Sequence, residues 1–116
     1  MNKSQKRKLD KLWSEVVKKL AGNKCEVCGR TRSLNSHHLF SRRFMSTRYE
    51  VENGICTCVR CHFWFHQKPL PAAEWIISRR GQDWYNRLEL KAKTLAKPDY
   101  EAVERVLKEY LKGGGR

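Results

Sequence analysis

Apolar residues recur along positions 4 to 21 as Leu9, Leu12, Trp13, Val16, Val17 and Leu20, the spacing of one face of a 3.6-residue helix. Ser4 stands where such a helix is capped and Gly22 where it stops. Its other face carries Lys3, Lys6, Arg7, Lys8, Lys11, Lys18 and Lys19, which suits docking on the rest of the chain as the main role, with phosphate tracking beside it. The helical period then lapses. Leu34 to Phe40 reads as a short strand, and Ile55-Cys56, entered through the turn pair Asn53-Gly54, as a second. Val59 to Gln67 suits a short helix that ends before Pro69. Pro71 opens a helix over Ala72 to Arg80, with Gly81 as its stop. Gln82 to Leu95 is a further helix with Trp84, Tyr85, Leu88 and Leu95 apolar. Pro98 and Asp99 open the last, with Val103, Val106, Leu107, Tyr110 and Leu111 on one stripe. That stripe either packs back onto the domain, its commoner use, or forms a dimer seam. Gly113-Gly114-Gly115-Arg116 reads as a frayed tail. The expected class is α+β: an N-terminal basic helix over 1–24, a small ββα core over 25–68 and a helical extension over 69–116.

Length and charge narrow the class. At 116 residues the chain makes one domain with a small core, for which a bound metal would substitute for missing apolar burial. A net charge of +13 points to a polyanion as partner. Between Glu26 and Glu50 there is no acidic residue, while Arg30, Arg32, Arg42, Arg43 and Arg48 all lie there, so this stretch reads as a phosphate-facing surface. The start of the chain is charged from Lys3 and lacks an apolar signal region, and no run approaches the ~18 apolar residues of a membrane span. The expectation is a soluble protein of a reducing compartment, a cytoplasm, with no membrane partner.

All five cysteines and all four histidines fall between positions 25 and 66. Cys25, Cys28, Cys58 and Cys61 form two Cys-x-x-Cys pairs, and four thiolates close a structural zinc site with no open position. Gly29 relieves the backbone of the first knuckle. The stretch between the pairs exceeds the ~15–20 residues usual for a compact zinc module, so something is inserted there, and His37, His38 and Asn53 are in it. Cys56, too close to Cys58 to share its metal, reads as a buried strand residue. His62 and His66, at i and i+4, form a two-pronged grip on one helix face. His37 and His38 are strand neighbours and point to opposite sides, so one can complete a three-histidine site while the other serves as a general base. Three protein ligands leave a metal open to water and substrate.

The order His37-His38, then Asn53, then Cys58-x-x-Cys61-His62-x-x-x-His66 resembles the HNH (ββα-metal) nucleases, a group that includes phage-encoded endonucleases, homing enzymes and DNase colicins. The resemblance covers about residues 25 to 66. It implies a metal-dependent DNA endonuclease of phage or bacterial origin, acting in the host cytoplasm; the C-terminal stripe leaves a monomer or a weak homodimer as the expected state. Carried over by position, His38 is the general base, His37, His62 and His66 hold the catalytic metal, and Asn53 braces the loop that orients His38. The implied reaction is single-metal phosphodiester hydrolysis leaving 5′-phosphate ends, with Arg42, Arg43 or Arg48 clamping the phosphate. Many members of the family have Asp where this chain has His37. With no carboxylate in the set, three imidazoles suit Ni²⁺, Mn²⁺, Co²⁺ or Zn²⁺ better than Mg²⁺. A packaging role beside a terminase is one the family offers. The alternative is a non-catalytic, zinc-stabilised nucleic-acid-binding module, and a third reading is a role on RNA.

Overall fold

The apolar stripe of the first helix decides which side of it faces inward. In a computed structural model that describes residues 1–114, α1 (Lys3–Leu20) buries Leu9, Trp13, Val16 and Val17. Its cap is Asn2 rather than Ser4. The Asn2 side chain accepts from the Gln5 N–H at 2.9 Å while the Gln5 side chain accepts from the Asn2 N–H at 3.2 Å, satisfying two orphan donors reciprocally.

Two strands, β1 (Leu34–His38) and β2 (Gly54–Cys58), pair antiparallel with Leu34 opposite Cys58 and His38 opposite Gly54. Asn53-Gly54 does not close a tight hairpin. The strands are joined through the short helix α2 (Met45–Arg48) and a 3₁₀ turn, Val51–Asn53. β1 stops at His38, short of Phe40, because the Phe40 N–H leaves the ladder for the Asn53 side chain at 2.7 Å.

Alternation along β2 divides the core. Ile55 points into a cluster with Phe65, Ala72, Ile76, Trp84 and Leu88, drawn from α3 (Val59–Gln67), α4 (Pro69–Arg80) and α5 (Gln82–Ala92). Cys56 points the other way, toward Leu9, Trp13, Val16, Val17, Tyr49 and the Leu107 of α6 (Tyr100–Glu109). The result is a small α+β domain: a two-stranded antiparallel sheet between α1 and α6 on one side and α3 to α5 on the other. Gly54 lies on the α1 side. A Cβ there would run into Val17 and come within 2.7 Å of the Trp13 ring, so the close approach of α1 requires glycine.

Helix α4 begins at Pro69 rather than near Ala72, since Pro69 and Pro71 both fall in its first turn, where no N–H is needed. Helix α5 ends at Ala92, leaving Leu95 97% exposed beyond it. Asp99 caps α6 by accepting from the N–H groups of Glu101 and Ala102. The α6 stripe packs back onto α1. Lys8 pairs with Glu104 at 2.9 Å, and Lys19 Nζ donates to the carbonyls of Tyr110 and Leu111 in the final turn, Tyr110–Gly114. Of the expected frayed tail, Gly115 and Arg116 lie outside the described residues. Among those described, no helix is long and apolar enough to cross a membrane.

Candidate functional site

The Leu34–Cys58 end of the sheet meets the cysteine loop. Cys58 ends β2 and Cys61 sits in the first turn of α3, while Cys25 and Cys28 approach from the loop before β1. That loop returns on itself through Gly29 at φ 81, with the Gly29 N–H on the Cys25 carbonyl and the Cys25 N–H on the Arg30 carbonyl, each at 2.8 Å. The four sulfurs lie within 4.8 Å of one another. Burial works to raise the Cys25 pKa, but the backbone N–H groups of Cys28, Cys58 and Val27 outweigh it and lower it to about 7. Burial opposes ionisation of Cys58 too and is again outweighed, here by the Cys61 backbone and thiol, whereas burial and the neighbouring thiols push Cys61 up. Cys25 and Cys58 are eased toward ionisation while Cys61 resists further negative charge, which is the condition a cation relieves. The quartet is positioned to hold a metal ion. Cys56 is outside it, fully buried in β2, with its pKa raised to about 11 by burial and then by Glu26.

Register places the histidines at the other end. His37 is paired with Ile55 and so faces α3, whose His62 and His66 lie one turn apart. The His37 ring centre is 5.0 Å from His62 and 5.1 Å from His66, and one ligand nitrogen of each residue falls within 4.8 Å of the others. His62 Nε2 lies 3.2 Å from His66 Nε2, and His62 Nδ1 is buried without a hydrogen-bond partner. Burial, followed by the nearby His62, His66 and His38, depresses the His37 pKa to about 4; burial and then His66 lower that of His62. The lowered pKa values favour the neutral form of both rings, the form that metal ligation demands. The donor set fits a divalent ion of the borderline class.

His38 turns to the opposite side and stacks on Trp13, ring centres 3.9 Å apart and nearly parallel. Its Nε2 is 3.0 Å from the Arg48 carbonyl. A carbonyl can only accept, so Nε2 carries the proton and Nδ1 keeps its lone pair. Burial lowers the His38 pKa, with the Arg48 carbonyl and Asp10 working against it. The support continues outward: the Arg48 guanidinium grips both Asp10 oxygens, Nε at 3.0 Å and Nη2 at 2.7 Å, and donates to the Arg42 carbonyl. Trp13 Nε1 donates to the Glu50 carbonyl at 2.8 Å. Asn53 is fully buried behind this wall. It accepts from the Phe40 N–H and donates to the carbonyls of Phe40 and Thr47 at 3.1 Å, stapling the start and the middle of the inter-strand segment to β2.

An open cleft of about 670 Å³ brings His37, His38, His62, His66 and Arg42 together. Arg43 is exposed on the same segment, its guanidinium over the Phe44 ring at 5.2 Å. Arg48, grouped with them in the sequence as a phosphate contact, has its guanidinium turned to Asp10. Sequence reasoning missed Trp13, Asp10 and Gly54 as parts of the site. Trp13 was visible only as one member of a core stripe, and the one faint signal for Asp10 is that it is the sole acid among the first fourteen residues. Compared with models of protein families, with curated proteins and with solved structures, the chain matches none.

Proposed function

We propose that this protein is a metal-dependent DNA endonuclease of the HNH type, with zinc on Cys25, Cys28, Cys58 and Cys61 and a catalytic divalent ion on His37, His62 and His66. The observation that carries the reading is the shared cleft, in which three clustered imidazoles lie beside a fourth, His38, whose Nδ1 lone pair is set free by the Nε2 contact to the Arg48 carbonyl. The strand–segment–strand–helix order from β1 to α3 supports the ββα assignment.

His37, His62 and His66 would hold a divalent cation, whose positive charge would offset the charge building on the phosphate oxygens and the departing oxygen. His38 takes the proton of the attacking water at Nδ1, a transfer favoured by a pKa that leaves the ring neutral at neutral pH. Trp13 holds that ring in plane, and the Asp10–Arg48 pair holds the carbonyl that fixes its tautomer. Arg42, on the cleft wall, and the adjacent Arg43 grip phosphate without reading bases, so sequence preference is weak.

The test is nicking of supercoiled plasmid by metal-stripped protein re-supplied with Ni²⁺, Mn²⁺, Zn²⁺ or Mg²⁺, run beside RNA of matched sequence. Cleavage of DNA that follows the borderline ions ahead of Mg²⁺ is expected. Protein that binds DNA yet leaves it intact under every ion would replace the proposal with a binding module.

A further inference from the structure

Helix α3 presents a third face that neither metal cluster uses. Val59 and Phe63, one turn apart on it, are 45% and 55% exposed, although Cys61 and Phe65 of the same helix are buried. The Phe63 ring meets the edge of the adjacent His62 ring, centres 6.2 Å apart, but at this exposure it has no role in the core. Phe63 and Trp64 border an open cavity of about 640 Å³ together with Arg60 and Lys68. Arg60 also lines a second cavity, of about 750 Å³, with Arg30 and Arg32 of the cysteine loop, so the two hollows lie to either side of one arginine.

The charges here are unanswered. No residue lining either hollow is acidic, and among the described residues no carboxylate pairs with Arg30, Arg32, Arg60 or Lys68. The one acid of the cysteine loop, Glu26, is taken up by Arg80 at 3.2 Å and by the Cys56 N–H at 2.8 Å. Three free arginines and a lysine ask for phosphates. An exposed phenyl ring beside Arg60 and Lys68 asks for a flat, apolar face next to those phosphates, and a nucleobase has one only when it is unpaired; in a duplex the faces are closed by stacking.

We propose that the outer face of α3 and the cysteine loop form a binding site for unpaired single-stranded DNA, with a base stacked on Phe63 and its flanking phosphates on Arg60, Arg30 and Arg32. The site rests on the nucleic-acid part of the function above and not on cleavage. Phe63 follows His62 directly on α3, and the helix is only ~10 Å across, so a strand leaving the histidine cleft reaches Phe63 within a few nucleotides. The molecule would then favour junctions where duplex gives way to single strand.

The experiment is fluorescence anisotropy of labelled oligothymidylate and of a labelled duplex of equal length, with the full chain carrying a single zinc and no further metal added. Phe63→Ala is expected to weaken oligothymidylate binding about tenfold and duplex binding less than threefold. Arg60→Gln should weaken both and flatten the salt dependence of single-strand binding by about one ion's worth. Phe63→Trp should keep the affinity and lose indole emission on binding, a readout that survives if the alanine variant misfolds. Unchanged oligothymidylate affinity in Phe63→Ala, or equal losses on both DNAs, or a Phe63→Trp emission that DNA leaves untouched, would each overturn the site while leaving the nuclease reading standing. Absence of binding to either DNA by the wild type would remove both.

Discussion

The cysteine and histidine clusters share one helix, yet they differ in burial, charge and access. Cys61 and His62 are adjacent on α3, about 100° apart around its axis. Three of the four thiols are buried, and the quartet can saturate a tetrahedral ion by itself. The histidine trio has only three donors, opens onto a large cleft and includes the exposed His66. The thiols need a cation to become a stable cluster of charges, whereas burial lowers the pKa of His37 and His62 and so favours their neutral form. A metal on the quartet would fasten the cysteine loop to the end of β2 and so hold α3 where its other face can present an open site. On the proposed function, one cluster builds and the other works.

Breaking the closed site should have the largest effect. Cys58→Ser removes a fully buried ligand, and the ~10–16 kcal/mol apparent for a structural zinc is comparable with the whole stability of a domain. Loss of the cooperative thermal transition by circular dichroism is expected, and a chelator should do the same to the wild type. A variant that melts normally would show that the apolar clusters suffice.

Next in size is the open site's chemistry. His38→Ala should slow plasmid cleavage by about 10²–10⁴-fold, with DNA affinity kept and melting lowered by the lost stack on Trp13. Equal rates in variant and wild type would mean that another group is the base.

Smaller again is the wall behind His38. Gly54→Ala places a methyl group against Val17 and Trp13, with an expected loss of about 1–3 kcal/mol in denaturant titration. Because Trp13 must shift, cleavage should fall by more than the folded fraction does; a fall matching the folded fraction alone would separate Trp13 from function.

The smallest effect sharpens the assignment of the base. Burial sets the His38 pKa below the ordinary 6.5, so the ring stays deprotonated as pH falls to that value. The acid limb of kcat/KM should bend below 6.5 and be flat above it. Asp10 favours the charged ring, so Asp10→Asn, which also leaves Arg48 unneutralised, should move the limb further down. A limb above 6.5, or one that Asp10→Asn moves upward, would contradict the arrangement.

The sequence made one part of this legible because its ligands recur at fixed offsets. Cys-x-x-Cys and His-x-x-x-His are local geometries, and the helix over Val59–Gln67 follows from them and from Pro69. The same holds for the α1 stripe and for the opposite facing of His37 and His38 on a strand. What stayed hidden joins residues far apart in the chain. Asp10 with Arg48, Trp13 with His38, and Gly54 beneath α1 depend on how a helix lies across a sheet, which no local period encodes. Asn53-Gly54 reads locally as a turn, yet Asn53 is a fully buried staple and Gly54 a strand residue selected by its neighbours across the core. Helix ends shifted for the same local reasons that make them hard to read: Asn2 outcompeted Ser4 as a cap because Gln5 answers it.

The central claim is that one cluster holds the fold and the other holds a working metal. Its most direct test is metal content per chain, by mass spectrometry of the native protein and of a His37→Ala/His66→Ala double variant, with plasmid cleavage measured on the same samples. The account predicts two metals in the wild type and one in the variant, which keeps its thermal transition and no longer cuts DNA. A wild type with a single metal that still cuts, or a variant that keeps its rate on one metal, would contradict it.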